Sequence, residues 1–306
     1  MFKYSNTNKR YHTLDYYNKQ KYNCKVAKLS IDVGYSCINR DGIKATGGCS
    51  FCPGHAISGF VQQVDLVAQI EKQKAIAQRK WPNCKYQLYW QSFSNTYASF
   101  ERNKSNYKIH KQIDDVISLA IATRVDSISD KTLLYLDELS KSIDVTIEIG
   151  LQSMHDKTRK LLNCQYSLDD FITCVKRIEK TNCSIVVHII NGLPNETETM
   201  MLDTVKFLNQ LKISGIKVHM LHIDKTTKLA KQYLSEPFSL FSMDQYTDIA
   251  IEQLKQLRQE IVIHRLTGDG IKQQLLAPMW TLNKTAVLNM IDKKMQERNI
   301  YQGDNA

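Results

Sequence analysis

Asp32-Val33-Gly34-Tyr35-Ser36-Cys37-Ile38-Asn39-Arg40-Asp41-Gly42-Ile43-Lys44-Ala45-Thr46-Gly47-Gly48-Cys49-Ser50-Phe51-Cys52 is the stretch on which the fold and chemistry of this chain turn. Three cysteines stand at C-x11-C-x2-C spacing, directly after a strand-like apolar run at residues 26–33. Three thiolates do not fill the four positions of a structural zinc site, so zinc would need His55 or a distant residue. A [4Fe–4S] cluster normally takes four cysteines, and three leave one iron open for another ligand. Gly42, Gly47 and Gly48 suit a loop wrapped closely round such a body. Phe51, between the last two cysteines, is placed to cover it. Spacing alone leaves zinc and the cluster both open.

Outward from this loop the chain alternates strand-like and helical runs. Strands are expected at residues 26–33, 86–90, 118–123, 145–149, 184–190 and 216–222, each short and mostly β-branched or aromatic. Amphipathic helices are expected at 62–80, 130–140 (with Asp130 as cap), 168–180 (capped by Ser167) and 197–211. Strands alternating with helices imply a parallel α/β sheet, and six of them close naturally into a partial (β/α)6 TIM-type barrel. Gln91, Arg124, Glu148, Asn191 and His222 lie at or near the C-terminal ends of successive strands, where such barrels place their chemistry. That setting for the cysteines lowers the standing of zinc. Residues 1–25 read as a basic arm, 26–223 as the partial barrel, and 224–306 as an extension packed on it. The extension carries helices at 243–260 and 283–298 and a possible further strand at 261–264.

The formal charge is +10 over 306 residues, which favours a polyanionic partner, or else reflects a general richness in lysine. In the arm, Lys3, Lys9, Arg10, Lys19 and Lys21 are interleaved with Tyr4, Tyr11, Tyr16, Tyr17 and Tyr22, a mixture that suits RNA and equally a solvated face. No apolar run is long enough to span a bilayer, and residues 1–11 lack the apolar core of a secretory signal, so a cytoplasmic protein without membrane partners is expected. The remaining cysteines, Cys24, Cys84, Cys164, Cys174 and Cys183, have no disulfide-framework spacing and read as reduced thiols, the last three as ordinary core residues.

An open iron on a three-cysteine cluster can chelate the amino and carboxylate groups of S-adenosylmethionine (SAM). An electron sent into the sulfonium then yields a 5′-deoxyadenosyl radical, while the protein orients SAM and keeps the radical dry. At this point the sequence resembles a known family. Asn39-Arg40-Asp41-Gly42 and Gly47-Gly48-Cys49-Ser50-Phe51-Cys52 resemble motifs of the YhcC/YtqA family of radical SAM proteins, relatives of the catalytic subunit of Elongator. The likeness runs on through Lys9-Arg10-Tyr11-His12, Ala122-Thr123-Arg124 and Glu148-Ile149-Gly150-Leu151-Gln152-Ser153. It continues through His188-Ile189-Ile190-Asn191-Gly192-Leu193-Pro194 and Ile216-Lys217-Val218-His219-Met220-Leu221-His222. It ends with His264-Arg265-Leu266-Thr267-Gly268-Asp269-Gly270 and Pro278-Met279-Trp280. The branch most similar is the Gram-positive YtqA branch, also called MnmL. This resemblance implies a [4Fe–4S] cluster, SAM, and conversion of 5-carboxymethylaminomethyl(-2-thio)uridine to 5-aminomethyl(-2-thio)uridine at the tRNA wobble position. The expected partners are tRNA, an electron donor such as a flavodoxin or ferredoxin, and a downstream tRNA methyltransferase. Ile38, Val125 and the run Asp224-Lys225-Thr226-Thr227 depart from the family pattern, the last at the substrate mouth.

The candidate site follows. Cys37, Cys49 and Cys52 are the cluster ligands and generate the radical. Phe51, Gln91, Arg124, Glu148, Gln152, Asn191 and Gly192 are candidates for SAM, with Arg124 offering a bidentate fork to its carboxylate. Glu148, in an otherwise apolar run, needs a partner, either SAM or Arg124 one strand earlier. His188, His219, His222, Arg265, Asp269, Trp280 and Lys284 are substrate candidates, with Trp280 either stacking on a flipped base or anchoring the extension. Two other functions stay open: a radical SAM enzyme acting on a small metabolite or peptide, and a zinc-dependent, non-enzymatic RNA-binding protein.

Overall fold

The computed structural model describes residues 2–54, 65–268 and 270–306. All six expected strands form: β1 Val26–Ile31, β2 Lys85–Trp90, β3 Val116–Thr123, β4 Asp144–Gln152, β5 Ser184–Asn191 and β6 Gly215–Met220. They pair in chain order and in parallel. Past β6 comes a short strand, β7 Ile223–Asp224, and then β8 Val262–Arg265, which joins the sheet beside β6, again in parallel. The possible strand of the extension is thus the seventh of a curled half-barrel, one more than the six expected. The last strand, β9 Leu275–Ala277, pairs antiparallel with β7 in a separate ribbon.

Helices cover the convex face because their apolar stripes match the outward apolar residues of the strands. In chain order they are α1 Leu14–Tyr22, α2 Leu66–Lys80, α3 Phe100–Tyr107, α4 Asp130–Ser140, α5 Asp156–Leu161, α6 Leu168–Ile178, α7 Glu198–Leu208, α8 Lys228–Ser235, α9 Met243–Gln256 and α10 Lys284–Glu297. All of these starts except that of α5 are set by side-chain caps. Asp65 accepts from the amides of Val67 and Ala68, Ser167 and Asp170 form a capping box, and so do Ser242 and Gln245. The cap of α4 is Ser129, which accepts from the Thr132 amide, and not Asp130, which is the first helical residue. The expected helix at 62–80 begins in part outside the described residues. Helices α1, α3, α5 and α8 were not expected from the sequence.

The arm is woven into the other end of the chain. The Ile263 amide donates to the His12 carbonyl at 2.7 Å, and Thr13 bridges to Ile263, so residues 12 and 13 run along the outer edge of β8. Gln302, fully buried, accepts from the His12 amide at 2.8 Å and donates to the carbonyls of Arg258 and Ile261. Much of the arm's charge is used internally: Lys9 pairs with Asp292, Lys19 and Lys25 with Asp15, and Lys21 with Asp144. Arg10 lies over the Tyr301 ring. Among the described residues no helix is long and apolar enough to cross a membrane.

Candidate active site

The cysteine loop is shaped before any ligand is considered. Gly47 and Gly48 both have positive φ, and a Cβ on Gly48 would meet the Arg40 side chain at 3.0 Å. Arg40 lies under the loop because its guanidinium donates to the Cys52 carbonyl at 3.2 Å and to the Pro53 carbonyl. Asn39 is fully buried and donates to the Asn163 carbonyl at 2.6 Å and to the Cys49 sulfur at 3.5 Å. Ile38 takes part in the turn through its carbonyl, which accepts from the Lys44 amide at 3.0 Å. The three thiols differ. The Cys164 thiol donates to Cys49, and with Arg124 and Asn39 it draws Cys49 down to about 7 against burial. Burial, with the nearby Cys49, pushes Cys52 up to about 12 although Arg40 opposes. Cys164 is a buried core thiol that borders the site.

Cys37, Cys49 and Cys52 open onto a cavity of about 280 Å³ inside the half-barrel. Phe51, Gln91, Arg124, Glu148, Gln152, His188, His219, His222 and Arg265 share its wall. Among the described residues no three His, Cys, Asp or Glu side chains converge on one small ion; a cluster is a larger body and needs wider spacing. The surroundings fit such a group with a polar ligand beside it. The loop after β2 carries Ser92 and Phe93 at φ 73° and 59°, sparsely populated values for residues other than glycine. It leaves the hydroxyls of Ser92 and Ser94 buried on the cavity wall with no hydrogen-bond partner. Such orphaned groups suit a ligand with donors and acceptors of its own.

Several expectations are corrected. Arg124 does not pair with Glu148, and its fork is not open to SAM. Nε and Nη2 hold the two oxygens of Asp126, each at 2.9 Å, and Nη2 also reaches the Cys164 carbonyl at 2.7 Å. Only Nη1 faces the cluster site, 3.6 Å from the Cys49 sulfur. Asn191 exchanges hydrogen bonds with Gln253 at 2.7 and 2.9 Å, and a Cβ on Gly192 would meet Phe241 at 3.3 Å. Both lie away from the main cavity, in a small apolar pocket that also holds Trp280. Trp280 donates to the Phe241 carbonyl at 2.8 Å and packs on Tyr246, so it anchors the extension. Lys284 begins α10 and is not part of the cavity wall. Asp269 and His55 lie outside the described residues. At the departure after the sixth strand, Asp224 closes the turn with its own carboxylate. It accepts from the Thr226 amide at 2.8 Å, Thr227 caps α8, and Asp224 lines the cavity.

The sequence reading missed a charged cluster on the inner wall. Glu148 is fully buried and accepts from Lys217, from His188 at 2.9 Å and from Lys28 at 3.3 Å. Burial alone would raise its pKa, but Lys217, then Lys28 and His188, hold it well below the ordinary carboxylate range. Burial lowers Lys217 to about 7, with Lys28 and Arg265 adding and Glu148 opposing. Burial and Lys217 lower His188 to about 4, so it is neutral. Lys217 also lies over the Tyr89 ring, 4.4 Å from its centroid.

Comparison with known proteins agrees with this geometry. Residues 44–208 match the model of the radical SAM superfamily, and residues 213–297 match that of the radical SAM C-terminal domain. YtqA of Bacillus subtilis, an uncharacterised protein, is 38% identical over 99% of this chain and 94% of its own. YhcC of Escherichia coli is 29% identical over 92% of this chain and 91% of its own. Elp3 of the archaeon Methanocaldococcus infernus superposes with a TM-score of 0.67 at 14% identity over 91% of this chain, a likeness of fold alone; the chain spans 64% of that structure's length. The chain belongs to the radical SAM superfamily, and is an enzyme that uses a [4Fe–4S] cluster and SAM.

Proposed function

We propose that this enzyme acts on tRNA, converting 5-carboxymethylaminomethyl(-2-thio)uridine at the wobble position to 5-aminomethyl(-2-thio)uridine. The observation that carries this reading is one cavity joining the three cysteines to a cationic inner wall, in a chain of net charge +10. The reaction itself is what the resemblance of the motifs to the YtqA branch implies. When bound, the cluster and SAM supply a 5′-deoxyadenosyl radical. The chain's own part is placement. Cys37, Cys49 and Cys52 hold the cluster, with Asn39, Arg40 and Arg124 turned toward the sulfurs. Phe51, Gln91, Gln152 and the buried serines of the β2 loop orient SAM. The barrel wall excludes water and presents the glycine-derived carbon of the substrate for loss of hydrogen. An electron donor of the flavodoxin or ferredoxin type, a following methyltransferase and action in the cytoplasm belong to the same reading.

The test is an anaerobic assay with reconstituted cluster, SAM, a strong reductant and tRNA bearing the carboxymethylaminomethyl group. Mass spectrometry follows 5′-deoxyadenosine and the tRNA nucleosides together. Both products rise if the reading is right. Formation of 5′-deoxyadenosine with the nucleoside untouched refutes the tRNA substrate and turns attention to a metabolite or peptide. A Cys37→Ala protein that still cleaved SAM would refute the role of the cysteines.

A further inference from the structure

The cysteine loop keeps its shape through its own backbone. The Arg40 amide donates to the Cys37 carbonyl at 2.7 Å, the Gly48 amide to the Asn39 carbonyl at 2.8 Å, and the Cys52 amide to the Cys49 carbonyl at 3.0 Å. Two side-chain donors nevertheless converge on a single sulfur, that of Cys49. Asn39 Nδ2 lies 3.5 Å from it and Arg124 Nη1 3.6 Å. Both donors are held in place. Asn39 is fully buried, and its Nδ2 also donates to the Asn163 carbonyl at 2.6 Å. Arg124 spends Nε and Nη2 on Asp126 and on the Cys164 carbonyl, which leaves Nη1 for the sulfur. Asp126 is in turn held by Lys44 at 2.9 Å. Cys52 receives Arg40 Nη2 at the longer distance of 3.9 Å, so donation is concentrated on Cys49.

We infer that Asn39 and Arg124 set the reduction potential of the cluster through the Cys49 sulfur, with Asp126 as the positioning residue that aims Arg124. Hydrogen bonds to ligand sulfurs are among the factors that tune an iron–sulfur potential. On reduction the cluster takes up one electron from an external low-potential donor, with no proton and no bond broken. Part of the added negative charge falls on the cysteine sulfurs. A donor to a sulfur is held more strongly as that sulfur becomes more negative, so both bonds favour the reduced state. The buried setting of the loop strengthens the effect, because little water competes for the sulfur. The inference concerns how readily the electron enters and is independent of the substrate.

The experiment is a redox titration of the cluster-loaded protein without SAM, followed by electron paramagnetic resonance. Signals are normalised to bound iron, so that partial loss of cluster does not enter. Asn39→Ala and Arg124→Gln are each expected to lower the ratio of reduced to oxidised cluster at the parent's midpoint by ~10-fold, the low end for a hydrogen bond to a charged group. For a one-electron couple that is a midpoint about 59 mV more negative. Asn39 carries no charge, so its loss reads the hydrogen bond alone. Parent-like midpoints in both variants overturn the inference. A fall in Arg124→Gln with Asn39→Ala unmoved also overturns it, since charge alone would then suffice. One further measurement needs no variant. In parent protein grown with arginine enriched in the heavy nitrogen isotope, pulsed resonance of the reduced cluster should show a coupled guanidinium nitrogen, and its absence refutes the bond. The coupling should weaken in Asp126→Ala; if it is undiminished there, Asp126 does not aim Arg124.

Discussion

Replacing Glu148 by glutamine keeps its shape and removes its charge. Lys217, 3% exposed, then loses its counter-charge inside the barrel, while Lys28, one-quarter exposed, is partly relieved by water. Breaking a buried pair by removing one partner costs about 3–5 kcal/mol. The low end applies here, because the glutamine carbonyl still accepts a hydrogen bond from His188 or Lys217. Lys217→Met strands Glu148 less completely, since His188 at 2.9 Å and Lys28 at 3.3 Å remain, and should cost about 2 kcal/mol. The double variant replaces the pair by neutral groups of similar volume, and should be no less stable than Glu148→Gln alone. For a chain of this length each kcal/mol moves Tm by roughly 1.5–2 °C. The expected losses are thus about 5 °C, about 3–4 °C and about 5 °C, a coupling of about 2 kcal/mol. Thermal unfolding of the anaerobic holoprotein, followed by circular dichroism near neutral pH, reads all three. Additive losses, near 9 °C for the double variant, would refute the paired arrangement.

Three further outcomes are expected. Lys217 gives up its proton at about 7 in the folded chain and near 10.4 in the unfolded one. Between those values the unfolded chain binds more protons, so this residue's contribution makes stability rise with pH. Tm measured near pH 7 and near pH 9 should climb less in Lys217→Met than in the parent, and an equal climb would contradict the shift. Asp126→Ala frees the Arg124 fork that steadies Cys49, and should lower the iron and sulfide retained per chain after reconstitution; undiminished retention would show that the fork does not support the site. Gly192→Ala places a side chain at φ 85° against Phe241 and should cost about 1–2 kcal/mol. Its SAM affinity should not change, because Gly192 lies outside the main cavity; a ten-fold loss would return this residue to the cofactor.

The parts of the fold legible in the sequence are those set by local pattern. Six strands announced themselves by apolar runs, and six helices by their pattern, several with caps, because each signal lies within one element. The four-residue β8 reads from the sequence only as a possible strand at 261–264, and its pairing with β6 shows its place. Glu148 was legible as a charge in an apolar strand. The same argument applied to Ile216-Lys217-Val218 finds its partner, and two opposite charges in two such strands are readable as a pair. Other contacts left no trace. The Asn191–Gln253 exchange joins residues far apart in sequence, and the Arg124–Asp126 fork depends on the bend after β3. Ser92, Phe93 and Gln152 take positive φ without glycine, the residue that usually signals it.

The stitching of residues 12 and 13 onto β8 bears on how the molecule is assembled. The outer rim of β8 is a row of backbone groups that would otherwise invite another chain to pair with it, and the arm occupies that rim. The segment that shields it is synthesised before β8 and Gln302. Until β8 is made the arm has no dock, and the contact that seals the sheet joins residues 12 and 13 to residue 263. Contacts of such wide separation form late, because a long loop must close before they are rewarded. The barrel's first strands can thus pair while its last rim is still bare, and a chain lacking the arm would keep that rim bare after folding.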